Sequence, residues 1–136
     1  MRWTRSLVGL ATIPALLTAC SDAASHHPGA VTLEVRHSAF HPGSLTVREG
    51  TAVRIVVHNV DPIDHELIVG DRAVQDRHER GVDPRHDGSV PGEVSVPAGS
   101  VVVTTYRFDR AGRLLYGCHL PGHWAYGMHG EIKVTS

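Results

Sequence analysis

The chain has 136 residues, enough for one domain with a modest core and too few for an enzyme assembled from several domains. Its 13 Lys and Arg balance 14 Asp and Glu, so no basic field directs it to nucleic acid. The strongest bias is 11 histidines against a single lysine, Lys133, which favours metal handling without establishing it.

The N-terminus reads as an address. Arg2 and Arg5 precede an apolar stretch from Leu7 to Ala19 that Pro14 interrupts and that is short for a bilayer span. The stretch ends Leu17-Thr18-Ala19-Cys20, which resembles a bacterial lipoprotein signal. That resemblance implies removal of residues 1–19 and a lipid on Cys20; the alternative is an ordinary secretory signal cleaved near Ala19 or Ala23. Residues 20–30 are small and polar and read as a tether, with His26 and His27 in it, holding the protein on the outer face of the cell membrane. Residues 31–136 form the expected domain. Loss of Arg2 and Arg5 takes the 13 basic residues to 11 and leaves 14 acidic ones. Cys118 is then the one thiol in the domain, and metal ligation is a way to protect it in an oxidising compartment.

From Val31 the pattern is that of strands. Val31, Leu33 and Val35 alternate with polar residues; Leu45 and Val47 follow the turn at His41-Pro42-Gly43; Val53, Ile55 and Val57 share a face. A break at Asp61-Pro62 precedes a short run from Glu66 to Val69. Val94 and Val96, Val101 to Phe108, Leu114 to Cys118, and Glu131 to Val134 complete about eight strands with Gly and Pro punctuation. No helical period stands out, so the expected fold is all-β, a sandwich or barrel. Residues 71–91 are charged and poor in large apolar side chains, and read as a long loop. Within it His78, Glu79, His86 and Asp87 are either a second, weaker metal site or part of a solvated surface.

The densest chemistry lies near the C-terminus. Cys118, His123 and Met128 are spaced C-x4-H-x4-M in a loop between two strand-like runs. A thiolate with imidazoles close in and a thioether further out serves both Cu(I), which favours sulfur, and Cu(II), which favours nitrogen. The remaining histidine must come from upstream, where His65 and His58 compete.

The segments Phe40 to Gly50, Asp64-His65-Glu66-Leu67 and Tyr116 through Met128 resemble a cupredoxin, the family of plastocyanin and azurin. The resemblance covers roughly residues 31–135. It implies a Greek-key β-sandwich with one copper at one end, held by His65, Cys118, His123 and Met128, with His65 on a strand beside the cysteine-bearing one. His58 sits opposite Val57 within a continuous strand, a position that faces away from the core. Glu66 and His119 stand where relatives carry Asn and Ser or Thr, so the two side chains are expected either to pair as an alternative brace between the ligand segments or both to reach solvent. Leu120, Pro121, Trp124 and Tyr126 are expected to surround His123 as an apolar patch, serving docking, packing or both. The functional expectation is a monomeric, membrane-tethered, non-enzymatic carrier cycling Cu(I)/Cu(II) between redox partner proteins. Extracytoplasmic copper trafficking, by delivery to an acceptor protein, or copper buffering is the alternative. No Ser-His-Asp or paired-carboxylate spacing supports an enzyme.

Overall fold

The computed structural model describes residues 29–81 and 86–136. The expected signal, Cys20, His26 and His27 lie outside the described residues. In chain order the elements are β1 (Gly29–Arg36), β2 (Ala39–His41), β3 (Ser44–Arg48), β4 (Thr51–Asn59), β5 (His65–Gly70), α1 (Arg72–Glu79), β6 (Glu93–Val96), β7 (Val101–Phe108), β8 (Gly112–Gly117) and β9 (His129–Thr135). Two sheets, ordered β2-β1-β4-β7 and β3-β9-β8-β5-β6, pack face to face as a Greek-key sandwich. The β1–β4 and β3–β9 pairs are parallel and the others antiparallel.

Alternation builds the core. Val53, Ile55 and Val57 of β4 are buried while Arg54 and His58 are exposed. They meet Leu33 and Val35 from β1, and Leu67, Val69, Val96, Ile132 and Val134 from the opposing sheet. About eight strands were expected and nine form among the described residues. The additional one, β2, is three residues long, too short to show a period, and pairs with β1 through Glu34–His41, Val35–Phe40 and Arg36–Ala39.

The expected loop over residues 71–91 also contains a helix. Asp71 caps it, its side chain accepting from the Val74 amide at 3.0 Å, and Gly81, in the left-handed region, donates to the His78 carbonyl just past its end. Helix α1 carries almost no apolar stripe because it buries Gln75 and His78 instead. The Gln75 amide spans the outer face of the sheet to the carbonyls of Ile68 and Leu115. This layer explains why all six residues of β5 are buried: Leu67 and Val69 face the sandwich interior, and Ile68 lies under the helix.

Tyr116 is fully buried, packs edge-to-face on Phe40 at 5.4 Å and donates to the Pro42 carbonyl at 2.6 Å. Its ring lies over Gly130, its cross-strand partner, where an added Cβ would strike the phenol and come within 2.6 Å of the Gly43 carbonyl oxygen. Gly130→Ala is therefore expected to destabilise the protein by roughly 3 kcal/mol, near the upper end for overpacking, as read by urea unfolding.

Candidate metal centre

Strand alternation decides which upstream histidine enters the site. In β5, His65 shares the inward face with Leu67 and Val69, at the end of the strand, and is 1 % exposed. His58 in β4 is exposed. On the other side, β8 runs into Cys118, whose amide donates to the Met128 carbonyl at 3.1 Å, while the Met128 amide donates to the His123 carbonyl at 3.0 Å. The loop between Cys118 and Met128 thus closes on itself, with Gly122 and Gly127 at positive φ allowing its turns.

The structure brings together three of the four expected ligands through their side-chain donors. His123 Nδ1 lies 3.3 Å from His65 Nδ1 and 3.2 Å from Cys118 Sγ, and the ligating atoms of all three lie within 4.8 Å of one another. Met128 is buried in the same cluster as Cys118 and joins the site through its main chain. Two imidazole nitrogens and a thiol, sealed from water on one side by the core, form a donor set that fits copper in both oxidation states.

Asp61, legible in the sequence only as part of a turn, is the organising residue. Its carboxylate accepts from the amides of His37 at 2.7 Å and Ser38 at 2.8 Å, two residues held at positive φ without being glycine. It also lies 3.0 Å from His65 Nε2. A proton donated from Nε2 to Asp61 leaves the Nδ1 lone pair aimed at Cys118 and His123. Asn59 holds the turn itself, donating to the carbonyls of Ile63, Val96 and Pro97 and accepting from the Asp61 amide.

The environment prepares the donors. Burial, aided by His123, pushes the His65 imidazole below its usual 6.5 against the opposing pull of Asp61, which favours the neutral, ligating form. Burial pushes the Cys118 thiol up to about 11, outweighing main-chain hydrogen bonds from Leu120 and Glu66. The metal-free site accordingly holds a thiol at neutral pH, and a cation must displace its proton to bind sulfur.

The expected Glu66–His119 side-chain pair does not form. Glu66 Oε1 accepts instead from the His119 main-chain amide at 2.8 Å, so the carboxylate does tie the two ligand segments, but through the backbone. The His119 ring turns to α1, with Nδ1 2.8 Å from Glu79 Oε2 and Nε2 2.8 Å from Gln75 Oε1. The reason is the helix, which the sequence pattern did not show and which supplies closer partners. Glu79 is spent there, and the Asp87 carboxylate accepts from the Ser89 amide, so neither joins His78 and His86 in a metal cluster. Those two histidines meet Glu93.

The expected apolar patch divides in two. Tyr126 is 91 % exposed and Pro121 is exposed, but Leu120 packs on the core. Trp124 stacks on His119 and tilts against His129, at 4.7 Å from each, and lies over Gly117, whose missing side chain makes room for the indole.

Among known proteins, the profile of the Cupredoxin-like domain matches residues 9–132. The chain belongs to the cupredoxin-like domain family. This cupredoxin is 36% identical over 97 residues to the copper-resistant cuproprotein CopI of Rubrivivax gelatinosus, a match covering 70% of this chain and 59% of that one. It therefore spans less than two thirds of that relative's length. CopI of Pseudomonas aeruginosa is 27% identical over 128 residues, covering 70% of each chain. Auracyanin A, a "blue" copper protein from Chloroflexus aurantiacus, matches in structure with a TM-score of 0.64 at 22% identity over 79% of this cupredoxin and 99% of the auracyanin. That likeness shows the fold.

Proposed function

We propose that this cupredoxin is an extracytoplasmic, single-copper electron carrier that holds its metal through His65, Cys118, His123 and the thioether of Met128. The observation that carries the reading is the convergence of two Nδ1 atoms and a thiol sulfur at one end of the sandwich, with the orientation of His65 set by Asp61. Copper bound there supplies a Cu(I)/Cu(II) couple.

The chain's own residues do the rest. Two strand ends and a closed loop fix the donors, so the site keeps a similar shape in both oxidation states and little rearrangement accompanies electron transfer. Leu67, Val69 and the rest of the core exclude water from behind. His123 is half-buried beside exposed Pro121 and Tyr126, so its ring is the contact edge for a docked redox partner. Attachment through a lipidated Cys20, as a monomer, would keep the carrier near membrane-bound partners.

Copper handling is the second reading, favoured by the relatives described as copper-resistant cuproproteins. In that case the protein passes its ion to an acceptor. Voltammetry of the copper-loaded protein in the presence of a Cu(I) chelator separates the two. The carrier reading expects a reversible one-electron couple with full retention of metal over repeated cycles. Loss of copper to the chelator at each reduction would establish delivery instead.

A further inference from the structure

A second group of ligating atoms gathers on the outer face of the five-stranded sheet, across β5 from the thiol. We propose that His78, His86 and Glu93 form a sulfur-free site for a divalent transition cation, Cu(II) or Zn(II), distinct from the cysteine centre and independent of its assignment.

Three elements deliver the donors: α1 carries His78, β6 carries Glu93, and His86 sits on a segment strapped to β6. The strap is specific. The His86 amide donates to Ser95 Oγ and its carbonyl accepts from the Ser95 amide, both at 2.9 Å, and Asp87 bridges to Val94. Glu93 Oε2 lies 3.4 Å from His78 Nε2 and 3.5 Å from His86 Nδ1. Both spacings are long for hydrogen bonds. Ligands about 2.0–2.2 Å from one tetrahedral ion stand roughly 3.3–3.5 Å apart, so the spacing is that of atoms sharing a cation.

The protonation pattern agrees. His78 Nδ1 lies 2.9 Å from the Val74 carbonyl oxygen and donates its proton there, which leaves the lone pair on Nε2. That nitrogen is buried with no hydrogen-bond partner, and such orphaned polar atoms are rare in folded proteins. The His78 side chain is 2 % exposed and that of His86 7 %. Arg77 Nη2 approaches Glu93 Oε1 at 3.6 Å and leaves Oε2 to the histidines. Glu66 Oε2 lies 3.7 Å from His86 Nε2, a carboxylate on the far side of the ring from Glu93. Imidazole and carboxylate donors without sulfur suit Zn(II) and Cu(II) rather than Cu(I).

The test titrates Zn²⁺, and separately Cu²⁺, into the full-length protein whose cysteine centre already holds copper, with calorimetry for both and electron paramagnetic resonance for Cu²⁺. One further equivalent should bind, and added Cu²⁺ should give a new resonance without new thiolate-to-copper absorption. The tighter cation is the ion the site takes. His78→Gln and His86→Gln should each weaken that equivalent by about 100-fold or more while the first centre's absorption persists as a check on folding. Glu93→Gln, nearly isosteric, should do the same. In Cys118→Ser the equivalent should remain, which separates this site from the cysteine centre. Absence of a further equivalent in the wild type, or its survival in both histidine variants, overturns the proposal.

Discussion

Copper-loaded protein is expected to absorb intensely in the visible and Cys118→Ser to abolish that absorption, because the band requires a thiolate bonded to Cu(II). The sulfur is fully buried and 3.2 Å from His123 Nδ1, so no other side chain replaces it, and the hydroxyl of serine is a poor ligand for Cu(I). His65→Ala should weaken copper binding by about 100-fold or more, since its loss exceeds that of an orienting partner. His58→Ala should leave both band and affinity unchanged, its ring being exposed on the far side of β4. Absorption spectra and competition against a chelator read all three. A full-strength band in Cys118→Ser would sink the assignment of the centre.

Asp61→Ala should act on fold and site together. The carboxylate accepts from two amides of a left-handed turn and faces a buried imidazole, so its removal is expected to cost the metal-free protein on the order of 2–4 kcal/mol. Copper affinity should fall by about 10–100-fold as His65 loses the group that selects its tautomer. The stability effect has a pH signature. Burial raises the Asp61 carboxyl, but the Ser38 and His37 amides and the His65 ring outweigh it, and the net value lies below the ordinary 3.8. A depressed carboxyl contributes its stability in full above the unfolded value and loses it as pH falls through the folded one. The advantage of wild type over Asp61→Ala should therefore shrink as pH falls below 3.8, as measured by denaturant titration of the metal-free proteins. A difference that is unchanged down to pH 2 would show that the carboxylate's charge is not what holds the turn.

Much of this protein was legible from local pattern. The two-residue period of Val53, Ile55 and Val57 specified an inward face and put His58 outside, whereas His65 was reached through the family resemblance and its inward phase with Leu67 and Val69 came from the structure. The C-x4-H-x4-M spacing located the loop that carries the thiol, because those residues are close in sequence and need only a turn to converge. Helix α1 escaped notice because its buried face is Gln75 and His78, which a hydrophobic period cannot register; the cap at Asp71 and the stop at Gly81 were its available signals.

What sequence alone determined was therefore the fold class, the strand faces and the ligand-bearing loop, all governed by interactions between near neighbours in the chain. Only the tertiary structure decided that Asp61 orients His65, that Glu66 holds the His119 backbone rather than its ring, and that Glu93 completes a cluster with His78 and His86. Each of these depends on side chains from elements whose spacing in space is set by sheet register and by the seating of α1. A polar group takes the nearest partner that burial leaves it, and that choice exists only once the layers have packed.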